Sequence, residues 1–157
     1  MAQEAWKQGK SLPISINIGV PPAVAVASAT GTAHLPPQFD KLSLAGALAH
    51  EPIRLTEGGG SGAPYLSQSA FVLHGELLEG TSEETIEPAP PGVTMPEFLG
   101  YDGHAGAPLH LIKLNAISQR PDAIFQAVVG PGREQSAILG LGGALSVGLS
   151  VNDGRLF

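Results

Sequence analysis

The chain has 157 residues, 43 % hydrophobic and 14 % charged, a length that fits one domain burying roughly two thirds of its unfolded surface. Its formal charge of −6, with eight scattered Lys and Arg, excludes a nucleic-acid binder, because phosphate backbones are held by clustered cations. The absence of cysteine excludes disulfides, thiolate zinc sites and a cysteine nucleophile, and the low charge leaves surface for a partner to cover.

Met1-Ala2-Gln3-Glu4-Ala5-Trp6-Lys7 lacks the charged-then-apolar pattern of a signal peptide, so a cytoplasmic, soluble protein is expected. Ile14, Ile16, Ile18 and Val20 alternate with Ser15, Asn17 and Gly19, the period-two pattern of a strand with one buried face. Pro21-Pro22 ends that strand and opens the Ala-rich segment 23–29, read as a two-turn helix because proline suits the first helical position. Beyond Leu35-Pro36-Pro37, Asp40 is placed to cap a second helix carrying Leu42, Leu44, Ala45 and Leu48 and ending near His50-Glu51-Pro52. Residues 52–57 read as a brief strand. The glycine-rich run 58–64 reads as a hinge or crossing and not a phosphate cradle, since no helix follows it.

Phe71, Leu73, Gly75 and Leu77 mark one face of a clear strand, with Val72, His74 and Glu76 on the other. The acidic, proline-rich stretch 81–93 predicts a long loop leading into Thr94-Met95-Pro96-Glu97-Phe98-Leu99-Gly100-Tyr101. There Glu97 is fixed between a proline and two apolar residues. A carboxyl group pressed against apolar neighbours keeps its proton to higher pH, which makes Glu97 a candidate acid; a helical cap or a solvated loop carboxylate is the competing role.

Leu109 and Leu111 begin a strand whose apolar phase shifts to Ile112, Leu114 and Ala116, as a β-bulge would produce. Ser118-Gln119-Arg120-Pro121-Asp122 is turn chemistry, and 123–129 reads as a strand completing a hairpin. The last element, 134 to about 149, is a glycine-interrupted helix of weak propensity that calls for burial, plausibly against another chain. Its apolar run 137–151 is shorter than the roughly 20 residues a bilayer span needs, so no membrane association is expected.

Asp102, His104 and His110 gather imidazole and carboxylate within nine residues, but the spacing matches no metal motif and Gly103 and Gly106 point to a turn. Residues 130–134 precede a helix and could receive an anion or form a plain turn. There is no Gly-x-Ser-x-Gly elbow. The element order lacks the alternation of a doubly wound sheet, so an α+β fold is expected: a small antiparallel barrel with short helices at its ends.

Pro13-Ile14-Ser15-Ile16-Asn17-Ile18-Gly19-Val20-Pro21-Pro22-Ala23, Leu44-Ala45-Gly46-Ala47-Leu48, Phe71-Val72-Leu73-His74-Gly75, Glu97-Phe98-Leu99-Gly100-Tyr101 and Ile117-Ser118-Gln119-Arg120-Pro121-Asp122-Ala123-Ile124 stand in a telling order. Their order and spacing resemble those of UbiD-like decarboxylases, in flavour the ferulic acid decarboxylase branch. The resemblance implies an antiparallel split β-barrel of flavin-binding type. Residues 1–157 would form a single domain like the second half of the family's flavin domain, with 134–157 a C-terminal apolar helix and tail. It further implies prenylated FMN, with a divalent metal and potassium around its phosphate, and reversible decarboxylation of aromatic or α,β-unsaturated carboxylic acids. In the family a glutamic acid delivers the proton once carbon dioxide has left, and Glu97 aligns with that acid.

The resemblance is incomplete. The family segment with the catalytic arginine and the Asn and His metal ligands has no counterpart here. Lys41 stands where the family has a metal-binding carboxylate, and a protonated lysine cannot ligate a divalent ion. Lys41 is left either to bind the cofactor phosphate or to lie exposed on its helix. Gly92 stands where the family has a second glutamate. The expected protein is a small subunit or partial homologue that supports a larger UbiD-like chain, with homo-oligomers also open and a small aromatic acid as substrate. Its contact surface would be the apolar C-terminal segment. The alternatives are a free-standing split-barrel binding protein without catalysis and an independent decarboxylase with a simplified site.

Overall fold

A computed structural model describes residues 2–31, 35, 38–83, 108–125 and 132–152. In chain order the elements are α1 (Ala2–Lys7), β1 (Leu12–Ile18), α2 (Pro22–Ala29), α3 (Lys41–Ala49), β2 (Leu55–Thr56), β3 (Tyr65–Leu66), β4 (Phe71–Glu83), β5 (Pro108–Gln119) and α4 (Arg133–Asn152). Strands β1, β4 and β5 form a three-stranded sheet in that order, and β2 pairs with β3. The chain divides into two compact units interleaved in sequence: Met1–Ile16, Glu57–Tyr65 and Val72–Gln119, and Asn17–Thr56, Leu66–Phe71 and Arg120–Phe157.

The first unit is built on the sheet. Gly75 lets β4 and β5 approach closely, because a Cβ there would collide with the Lys113 carbonyl. Glu76 accepts hydrogen bonds from the Ser11 hydroxyl at 2.5 Å and the Asn115 amide at 3.2 Å. These bonds, the Ser11 one foremost, hold its carboxyl below the ordinary value of 4.5. Helix α1, which the sequence did not announce, is held by its tryptophan. The Trp6 ring lies 5.0 Å from the His110 ring and its indole N–H donates to the Leu77 carbonyl at 3.4 Å.

The phase shift read as a bulge falls inside one continuous strand, β5. Leu109, Leu111 and Ile117 lie on one side and Ile112 and Leu114 on the other, and all are 39–65 % exposed. Strand β4 runs on through Glu83, into the stretch expected to be loop from residue 81.

The second unit is helical. Ala27, Leu35, Leu44 and Ala45 form its core, with Val24, Ile53 and Leu149 packed against them. Helix α2 begins at Pro22 as expected, and α3 is capped by Asp40, whose Oδ1 accepts from both the backbone N–H and the hydroxyl of Ser43 at 2.7 Å. The helix ends at His50 in the left-handed region, φ 56°, its N–H returning to the Ala47 carbonyl. Helix α4 touches α2 within this unit: Gly142 lies so close to Ala29 that a Cβ would stand 3.0 Å from it, and Ser146 accepts from the Gly31 N–H at 3.2 Å, while Leu139, Leu141 and Val147 stay exposed.

Several expectations need correction. The strand expected over 52–57 is only Leu55–Thr56, and β3 was not foreseen. Residues 123–125 are not a strand; Ile124 and Phe125 are 81 % and 64 % exposed beyond the Pro121-Asp122 turn, and 126–129 lie outside the described residues. The architecture is mixed α and β with an antiparallel sheet, but no sheet closes among the described residues, so the split barrel expected from the resemblance is not found there.

Candidate functional site

Glu97, the expected acid, lies outside the described residues, as do Gly92, Asp102 and His104. Lys41 is the first residue of α3, and its ammonium donates to the Ser28 carbonyl in the last turn of α2 at 2.6 Å. That carbonyl has no partner within its own helix, so the lysine acts there as a helix C-terminal cap. A bound phosphate would have to compete with this bond.

His74 is the polar residue most deeply placed by the fold. Its ring has no exposure, and Nε2 stands 2.8 Å from the Ser118 hydroxyl of β5. The Tyr65 ring packs on it edge-on at 5.2 Å, and Nδ1 has no hydrogen-bonding partner among the described residues. The third wall is backbone. Gly59, at φ +82°, lies against the imidazole so that a Cβ would stand 2.7 Å from Nδ1, and a Cβ on Gly60 would stand 2.6 Å from that of Ala116. The glycine-rich run is therefore a crossing, as expected, and its particular task is to cover His74. The sequence placed His74 on one face of β4 with Val72 and Glu76; its signal for burial is the pairing of Gly58-Gly59-Gly60 with Gly75 beside the histidine. An imidazole bonded to a hydroxyl and shielded from water can orient Ser118, but among the described residues no carboxylate meets its other nitrogen, so the pair lacks the third member of a nucleophilic triad there.

In the second unit, residues from distant motifs meet where the strands end. Asn17 Oδ1 accepts from the Leu66 N–H at 2.9 Å and the Ser69 hydroxyl at 3.0 Å. Gly19, at φ +66°, accepts from the Ala70 N–H at 3.1 Å, and a Cβ on it would stand 2.6 Å from that of Ala70. Arg120 grips Asp122 with two parallel bonds, 3.0 and 2.7 Å, while donating to the Gln68 carbonyl, and its backbone N–H reaches the Ala70 carbonyl, both at 3.0 Å. The bond from Arg120 holds the Asp122 carboxyl below its ordinary value and keeps the guanidinium charged. Asn17, Gly19, Arg120 and Asp122 are thus scaffold.

An open groove of about 360 Å³ between α2 and α4 is lined by Val20, Pro22, Val26, Ala137 and Ile138, with Glu134 at its rim. A carboxylate at the mouth disfavours an anionic acid. Among the described residues no three His, Asp or Glu converge to hold a metal ion. No described helix is long and apolar enough to cross a membrane.

The scaffold motifs, the antiparallel sheet and the glycine crossing together mark the class. The family model of the 3-octaprenyl-4-hydroxybenzoate carboxy-lyase Rift-related domain, UbiD, matches residues 1–134, and the chain belongs to this family. It is 32 % identical over 140 residues to the gallate decarboxylase of Lactiplantibacillus plantarum, covering 89 % of this chain and 29 % of that one. Its structure is similar to that of the 3,4-dihydroxybenzoic acid decarboxylase of Klebsiella pneumoniae, with a TM-score of 0.73 and 35 % identity over 90 % of this chain and 29 % of the other. The UbiD-class enzyme HmfF of Pelotomaculum thermopropionicum, in an evolved dimeric form bound to prFMN, has the same fold over 90 % of this chain, with a TM-score of 0.72 at 24 % identity. The chain spans about 29 % of the length of the decarboxylases it matches.

Proposed function

We propose that this chain is a small subunit or partial homologue of a UbiD-type decarboxylase or carboxylase for aromatic or α,β-unsaturated carboxylic acids, completed by a larger UbiD-like chain. The observation that supports the proposal is the fold match to a decarboxylase together with described residues that bring no metal ligand set together. The described residues do not by themselves fit a flavin phosphate and its divalent ion: no ligand set converges, and Lys41 is engaged by a carbonyl. In this proposal those ligands come from the larger chain, and no step is assigned here through the prenylated flavin.

The chain's own chemical contribution is Glu97. When a carboxyl group leaves its carbon as carbon dioxide, the electron pair left behind needs a proton, and Glu97, protonated, delivers it. The rest of the chain holds the frame. The Arg120–Asp122 fork and the Asn17 bonds fix the strand ends, and Gly59 closes over His74.

Co-expression with a larger UbiD-class chain of the same genome tests the proposal. A stable complex that releases carbon dioxide from a hydroxybenzoic or cinnamic acid, and loses that activity with Glu97→Gln while remaining assembled, supports it. Unchanged turnover of the Glu97→Gln complex removes Glu97 as the proton donor. A monomer or homo-oligomer that ignores the larger chain favours the free-standing binding protein.

A further inference from the structure

Strand β5 is the outer strand of its sheet among the described residues, and every residue from Pro108 to Gln119 is exposed. Strands that face water on one side alternate apolar and polar residues, whereas strands buried on both sides are apolar on both. β5 carries large apolar residues on both sides, with Lys113 and Asn115 between Leu111 and Ile117 on one of them. Leu109, Leu111 and Ile117 are 50, 45 and 65 % exposed on one side, and Ile112 and Leu114 are 39 and 49 % exposed on the other. On that second side Trp6 packs at His110 and Gly60 at Ala116, leaving Ile112 and Leu114 open between them. Five large apolar side chains are thus spread over both sides of a strand that the structure leaves exposed.

We infer that β5 is a docking strand, enclosed on both faces and along its free edge by the part of a UbiD-type enzyme that this chain does not span. The inference rests on the proposed function and names the surface through which it operates. More than two thirds of each matched decarboxylase lies outside the match, which supplies a partner of the needed size. A second copy of this chain suits the strand less well. Edge-to-edge pairing of two β5 strands would extend the sheet yet leave the apolar side chains of both faces in water. Contiguous apolar surface of this kind marks an interaction site. The site is additional to the C-terminal segment expected to make the contact: α4 packs on α2 through Gly142 but leaves Leu139, Leu141 and Val147 exposed.

The chain has no cysteine, so single thiols report without background. Leu111→Cys and Ile112→Cys place one thiol on each face, and Gln3→Cys in exposed α1 serves as reference. Maleimide labelling is timed for each variant alone and after co-purification with the larger UbiD-class chain of the same genome. The expected result is labelling near the reference rate in the isolated chain, and slowing of both β5 thiols by about tenfold or more in the complex with the reference unchanged. Amide hydrogen exchange over 108–119 in the unsubstituted chain reads the same event without a substitution, as new protection in the complex. A complex in which either face labels as before overturns the inference while leaving the proposed function standing. Failure to form any complex overturns both. Protection already present in the isolated chain, whether monomer or dimer, also overturns the inference, because the cover would then be the chain itself or its copy.

Discussion

The junction where the strands end and strand β5 make opposite use of their residues. At the junction Asn17, Gly19 and Arg120 meet partners from segments about fifty residues away, and Arg120 also holds Asp122. Along β5 five large apolar side chains meet water. The first region is fastened within the chain, and the second leaves apolar surface exposed. The difference teaches that internal fastenings and exposed apolar strand can stand side by side in one chain, and contiguous apolar surface of the second kind is where a partner would dock.

The largest effect expected in the self-contained parts is at the glycine crossing. Gly59→Ala puts a methyl group into the His74 ring from a left-handed backbone position, and should cost roughly 2–4 kcal/mol, a Tm loss of about 10 °C. Adding His74→Ala removes the obstacle. Thermal melts of the single and double variants should therefore show a coupling of the two sites; strict additivity would show that the ring is not what Gly59 accommodates.

Next comes Asn17→Ala, which leaves the Leu66 N–H and the Ser69 hydroxyl without their acceptor and should cost about 1–3 kcal/mol in denaturant unfolding. By contrast Leu111→Lys should leave the isolated chain within about 0.5 kcal/mol of the original, since the side chain is already in water, while abolishing co-purification with the larger chain. A large loss of stability in the isolated chain would erase the distinction between the two regions.

The smallest effect is on acid stability. Asp40, held by the Ser43 N–H, and Glu76 and Asp122, held by the bonds described above, all have folded-state pKa values below the ordinary 3.8 or 4.5. Their contribution is fully present above the ordinary values and is lost as pH falls through the lowered ones. Tm should thus be flat from neutral pH down to about pH 5 and fall below it. Asp40→Asn, which still accepts from Ser43 but does not titrate there, should flatten part of that fall.

Much of the local structure was legible in the sequence because it is set by neighbours. Pro22 and Asp40 start their helices, the alternation of Ile14, Ile16 and Ile18 makes β1, and the order of family motifs led to UbiD. What stayed hidden depends on residues far apart. Burial of His74 requires a glycine fifteen positions earlier to lie on its ring, and the role of Arg120 requires the Gln68 carbonyl. The same holds for β5: its shifted apolar phase was read as a bulge, and one sequence does not show that the apolar residues on both of its sides are exposed. Of the candidate site, Lys41 was correctly placed on its helix without its bond to Ser28, and Glu97 remains a candidate on its sequence alone.

The central claim, a site completed by another polypeptide, is tested most directly by purifying this chain alone and together with the larger UbiD-class chain after growth with a source of prenylated flavin. Flavin absorbance and carbon dioxide release from an aromatic acid are then measured in both preparations. The account predicts both signals in the complex and neither in the isolated chain. Flavin absorbance with carbon dioxide release from the isolated chain would contradict it.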